Sequence, residues 1–150
     1  MAGAAWKATN VRFMSFAPER ASNRCAILFF MREESAYSLL LRGRRLFEVG
    51  NPAQAALVLE KARSVEPNKG SILELLGRAY FQYGSYNSAS SSFEDALEVD
   101  PTNDYAHYCL GLCYLKLRRK DDAGVHFKLA WFLKPAGAYR RKALRYGVGL

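Results

Sequence analysis

This chain has little of what catalysis or membrane spanning requires. No apolar run approaches the about 18 residues of a bilayer-crossing helix. The strand-like stretch Cys25–Met31 is only seven residues long. Cysteine is scarce and odd in number, three in 150 residues, with no framework spacing. That argues against a disulfide-stapled scaffold and fits a reduced, cytoplasmic setting. Histidine occurs twice, as His107 and His126. No GxSxG elbow, GxxxxGK(S/T) loop, HExxH helix or CxxC pair is present, so the usual spacings for nucleophiles, phosphates and zinc are missing. His107, Cys109 and Cys113 have the residue types of a zinc site, yet tetrahedral zinc takes about four ligands and no fourth is evident. Cysteine as a small apolar filler of a tight seam is the simpler reading. Asp121 and Asp122 are paired acids, but they open an expected helix, where negative charge favours the dipole. The chain is expected not to be an enzyme and to carry no cofactor or metal.

What is present is a period. Gly43, Gly77 and Gly111 are 34 residues apart, as are Ala55, Ala89 and Ala123, then Ala62, Ala96 and Ala130, then Pro67, Pro101 and Pro135. Four columns of identical residues across three blocks mark a repeat whose single unit cannot bury its own apolar face, so stacked copies share one continuous core. The blocks run 36–69, 70–103 and 104–137. Leu39, Gly43 and Leu46 fall at helical spacing, as do Leu73, Leu76, Gly77 and Tyr80. Gly50 and Gly84 sit where a first helix should stop in the left-handed conformation, and Asn51 followed by Pro52 reads as a cap and first turn. Pro67, Pro101 and Pro135 end second helices. First helices are expected near 36–49, 70–83 and 104–117, and second helices near 52–65, 86–99 and 121–133. Arg118 stands where the other blocks have glycine, so the third turn is expected to differ. Arg42 replaces the leucine of Leu76 and Leu110, which suits a first repeat with a polar outer face.

The order of large, small and aromatic columns closing on proline resembles the tetratricopeptide repeat, most closely in GSILELLGRAYFQYGSYNSASSSFEDALEVDPTN. The resemblance implies an all-α, right-handed α-solenoid of three helix-turn-helix repeats. Tyr139, Ala143 and Tyr146 at helical spacing, with Arg140, Arg141, Lys142 and Arg145 elsewhere on the turn, look like a capping helix over 138–147 that shields the last repeat.

Residues 1–33 lie outside the period. Up to Met31 they carry four basic residues against one acid. They are expected to be a disordered leader or to precede a true start at Met31; a transit peptide and a short ordered segment lying on repeat 1 are the alternatives. The repeat domain is expected over 34–150, as a monomer or weak homo-oligomer. The net charge of +8 is uneven. Repeat 2 has one basic residue against five acids, whereas repeats 1 and 3 each have six against three.

In tetratricopeptide arrays the first helices line a concave groove. The resemblance therefore implies a partner-binding face at Tyr37, Leu40 and Arg44 in repeat 1, Ser71, Glu74 and Arg78 in repeat 2, and Tyr105, Tyr108 and Leu112 in repeat 3. Glu48, Gln82 and Lys116 face the same way. Phe47, Phe81 and Leu115 are expected to pack more than to bind. Aromatic and arginine anchors dominate interface energy, so the function implied is a non-catalytic adaptor or scaffold. It would hold a peptide or helix of another protein. The carboxylate clamp of chaperone-tail binders is not matched: Leu40, Arg44, Leu75, Tyr105 and Cys109 occupy its positions. The alternative is a nucleic-acid or anionic-surface binder using clusters such as Arg42, Arg44 and Arg45, or Arg118, Arg119 and Lys120, with aromatics for stacking. Most of those aromatics hold repeat columns, so nucleic acid is the weaker expectation.

Overall fold

The computed structural model describes residues 34–147. The expected leader, with Cys25–Met31, lies outside the described residues. Among those described, every regular element is a helix: α1 (Ala36–Glu48), α2 (Pro52–Val65), α3 (Gly70–Tyr83), α4 (Tyr86–Val99), α5 (Asp104–Lys116), α6 (Lys120–Leu133) and α7 (Gly137–Tyr146). Each helix packs on its neighbours in the chain, and the first helices also touch in sequence, α1 with α3 and α3 with α5. That nearest-neighbour pattern is an α-solenoid of three helix pairs closed by α7. No helix among the described residues is long and apolar enough to cross a membrane.

The repeated columns meet as large-into-small seams. A Cβ added at Gly43 would lie 2.6 Å from the Leu59 side chain, one at Gly77 2.9 Å from Phe93, and one at Gly111 2.7 Å from Phe127. Each first helix thus needs a glycine where a large side chain of its own second helix crosses. Ala55, Ala62, Ala89, Ala96, Ala123 and Ala130 are all buried, which lets the backbones approach while Leu59, Phe93 and Phe127 fill the remaining space.

Polar bonds repeat with the same logic. The Tyr80 hydroxyl donates to Glu60 Oε1 at 2.8 Å, and the Tyr114 hydroxyl to Glu94 Oε1 at 2.6 Å. Each ties a first helix to the second helix of the repeat before it. Burial, then the carboxylate acceptor, pushes both phenols up to about 12. Repeat 1 carries Leu46 in that column. Arg63 Nη2 adds a 2.8 Å ion pair from α2 to Asp95 on α4.

The third turn does not differ, against expectation. Arg118 has φ 63°, beside 84° at Gly50 and 88° at Gly84. The closing bonds are equivalent too: Asn51 N–H to Leu46 carbonyl at 2.9 Å, Ser85 to Tyr80 at 2.9 Å, and Arg119 to Tyr114 at 2.8 Å. These are the six-to-one bonds of a Schellman ending. The packing of α5 on α6 holds the geometry, and Arg118 adopts it although a side chain disfavours it. A second correction is smaller. Asn51 precedes α2, but its side chain makes no capping bond; Pro52 alone supplies the start.

The closing helix packs through Tyr139 and Ala143, both buried. Tyr139 donates to Asp104 Oδ2 at 2.9 Å, tying α7 to the start of α5. Gly124 on α6 is where α7 ends. A Cβ there would strike the Tyr146 carbonyl oxygen.

Candidate partner-binding site

The first helices bring Phe47, Arg78 and Tyr105 from three repeats into one row. The Arg78 guanidinium lies 4.9 Å from the Phe47 ring centroid and 5.9 Å from that of Tyr105. Both distances allow cation–π attraction. Beside them opens a cleft of about 320 Å³ lined by Phe47, Arg78, Phe81, Gln82, Phe93, Tyr105, Cys109 and Leu112. Phe81 is itself fixed edge-on against Tyr86, with centroids 5.4 Å apart. The cleft is apolar on its floor and cationic at its centre. Arg78 is half-buried, and its side chain stacks on rings without an ion pair to any described residue. Glu74, one turn earlier on α3, is engaged elsewhere: its Oε2 accepts a 3.3 Å hydrogen bond from Asn103 Nδ2.

Of the nine residues expected to meet a partner, Arg78, Tyr105 and Leu112 line this cleft. Glu74 lies one helical turn away. Tyr37, Arg44 and Ser71 are exposed on first helices. Leu40 is 6% exposed and belongs to the core shared by α1, α2 and α3. Tyr108 packs on the rings of Phe127 at 5.7 Å and Tyr139 at 4.8 Å. Its ring therefore joins α5 to α6 and α7, so it does not stand free in a column that the fold leaves unfilled. Phe47 and Phe81 pack against the core as expected, and they also line the cleft. The helical period locates such residues on a face but cannot say how far neighbouring helices cover them.

Cys109 also lines the cleft. Burial pushes its thiol up to about 11 and that of Cys113 up to about 12, so neither is a thiolate at neutral pH. Burial, and then the neighbouring Cys109, pushes the Tyr105 phenol up to about 12. Among the described residues no group of three His, Cys, Asp or Glu side chains could hold a metal ion. The two histidines, nineteen positions apart in sequence, do meet: His107 Nδ1 lies 3.0 Å from His126 Nδ1, and His107 Nε2 lies 3.1 Å from the Pro101 carbonyl oxygen. The carbonyl can only accept, so His107 carries its proton on Nε2. His126 must then donate from Nδ1. Burial, then His107, lowers the pKa of His126.

Two family descriptions match the chain: "Tetratricopeptide repeat" over residues 40–89 and "TPR repeat" over residues 77–117. The first tetratricopeptide domain of Spaghetti (RPAP3), bound to an HSP90 peptide, is similar at TM-score 0.72 and 18% identity, covering 75% of this chain and 90% of that one. YrrB, described as having an unusual peptide-binding site, gives 0.71 at 20% identity, covering 93% and 72%. PcrH, in complex with the chaperone-binding region of PopD, gives 0.65 at 20%, covering 74% and 84%. No curated protein matches the chain in sequence. The period, the seams and these matches agree, and the chain belongs to the tetratricopeptide repeat family.

Proposed function

We propose that this protein is a non-catalytic adaptor that holds a peptide or helical segment of another protein across α1, α3 and α5. The observation that carries the reading is the Phe47–Arg78–Tyr105 row beside its apolar cleft. Aromatic and arginine side chains in a partly desolvated pocket are the residue types that concentrate binding energy. Similar solved structures hold peptides of other proteins, which favours the same use of the fold here. The cytoplasm suits the chain, since Cys109 and Cys113 are free and buried.

The test is a binding comparison. Proteins retained from lysate by the wild-type chain are titrated against Arg78→Ala/Leu112→Ala and against Arg140→Ala/Arg141→Ala. The first variant should weaken binding by about 2–4 kcal/mol and the second should change little. The opposite ranking would move the site to α7.

That second reading has its own observation. Arg140, Arg141 and Arg145 are exposed on α7, a helix without an acidic residue. An anionic surface or nucleic acid bound there would lose affinity steeply with salt, whereas an apolar cleft contact would not.

A further inference from the structure

We infer that the cleft reads a carboxylate: the partner segment presents an internal Asp or Glu side chain to Arg78 and an adjacent apolar side chain to the floor formed by Phe81 and Leu112. This rests on the groove reading above and sharpens it. The Phe47 and Tyr105 ring centroids lie 4.9 and 5.9 Å from the guanidinium carbon of Arg78. Ring carbon offers no acceptor to its N–H edge, whose planar fork of donors matches a carboxylate in two parallel bonds. No described residue accepts from that edge, and the nearest acid on the same helix, Glu74, bonds Asn103 instead. A half-buried guanidinium without an anion is incompletely compensated. An arriving carboxylate would supply the missing acceptor in a place already shielded by aromatic carbon. The position also decides which carboxylate. Arg78 lies on the middle first helix with Phe47 on one side and Tyr105 on the other, so a bound chain continues in both directions past it. An internal side chain satisfies that; a chain terminus satisfies only half of the face.

The experiment titrates the full chain, labelled with nitrogen-15, with three tetrapeptides. One is Ac-Ala-Glu-Phe-Ala-amide, the second replaces Glu by Gln, and the third is the Gln peptide with a free C-terminal carboxylate. The Glu peptide should shift the Arg78 side-chain Nε–H signal and the amides of Tyr105 and Leu112, and should bind about fivefold more tightly than the Gln peptide. That ratio is the roughly 1 kcal/mol by which a charged hydrogen bond exceeds a neutral one. Arg78→Gln should erase the difference. Glu74→Gln, which removes a nearby negative charge and should leave the fold intact, should widen it.

Equal binding of the Glu and Gln peptides at the cleft would overturn the carboxylate reading and leave the groove reading standing. Absence of shifts at Arg78, Tyr105 and Leu112 with every peptide would overturn both. Tighter binding of the free-acid Gln peptide would make a chain terminus the ligand and overturn the assignment to an internal side chain. A single-stranded oligonucleotide that moved the same signals more strongly than the Glu peptide would overturn it as well, because phosphate would then be the anion read.

Discussion

The seams inside each helix pair and the open face both draw on the three first helices, yet they follow different rules. At the seams, glycine meets Leu59, Phe93 or Phe127 in every repeat, at distances that leave no room for a methyl group. On the open face, the corresponding columns hold Arg44, Arg78 and Leu112, or Tyr37, Ser71 and Tyr105. Packing demands one solution, so the seam repeats. Water accepts many solutions, so the face is free to vary from repeat to repeat and to acquire chemistry. The lesson is that in a solenoid the columns that change locate the candidate site, while those that persist locate the core.

Substitutions should separate the two regions by size of effect. Phe93→Ala empties the seam against Gly77 and should cost about 3–5 kcal/mol, the range for removing a buried aromatic ring. Chemical denaturation would read this as a lower midpoint with the slope retained. Gly111→Ala acts in the opposite sense at the same kind of seam. Its Cβ meets the Phe127 ring, so overpacking should cost about 1–3 kcal/mol. An unchanged midpoint would mean that α5 and α6 can separate freely, and the equivalence of the three seams would fail.

The turns between paired helices allow a gain. Arg118 holds a positive φ of 63° where repeats 1 and 2 use glycine. Arg118→Gly should stabilise the fold by roughly 1 kcal/mol, since a side chain in the left-handed region costs about 1–2 kcal/mol and part of that returns as glycine entropy. Gly84→Ala should lose a comparable amount. Thermal melts of the pair would check the opposite signs.

Acid should weaken the third repeat specifically. Burial lowers the pKa of His126 below its ordinary 6.5. A histidine whose folded pKa is depressed favours the fold when neutral; that stability is complete above the unfolded pKa and is lost as pH falls through the folded one. The melting temperature should therefore fall on acidification from pH 7 to pH 5, and His126→Gln should remove part of the fall. An identical pH profile in the variant would show that the histidine pair is not involved.

The smallest stability effect belongs to the open face. Arg78→Ala should shift the midpoint by under about 0.5 kcal/mol while reducing partner binding. A loss of several degrees in melting temperature would make the Phe47–Arg78–Tyr105 row part of the core and bring the two regions under one rule.

The helices were legible in the sequence because their causes are local. Glycine, alanine and proline recur every 34 residues, and a helix pair is the unit that uses them, so helix positions followed to within a residue or two. The identity of each seam was not legible. Gly77 and Phe93 are sixteen positions apart in sequence, and only the crossing of α3 with α4 makes them partners. The site divides in the same way. The resemblance to tetratricopeptide arrays placed Arg78, Tyr105 and Leu112 on one face, whereas Leu40 and Tyr108 shared that expectation but are covered by neighbouring helices. Phe47 and Phe81 pack as the column pattern implied, and the crossing of the helices also gives each an edge on the cleft.

By itself, then, the sequence determined what repeats: an all-α array, its period and its small-residue columns. Each of these depends on spacing along one helix or on the identity of a single residue. Tertiary structure decided what converges. It set the Arg78 guanidinium 4.9 and 5.9 Å from two rings of other repeats, brought His107 to His126, and made Arg118 adopt the turn of a glycine. Those outcomes depend on distances between helices, and a column of letters carries no such distance until the second helix of each pair has packed on the first.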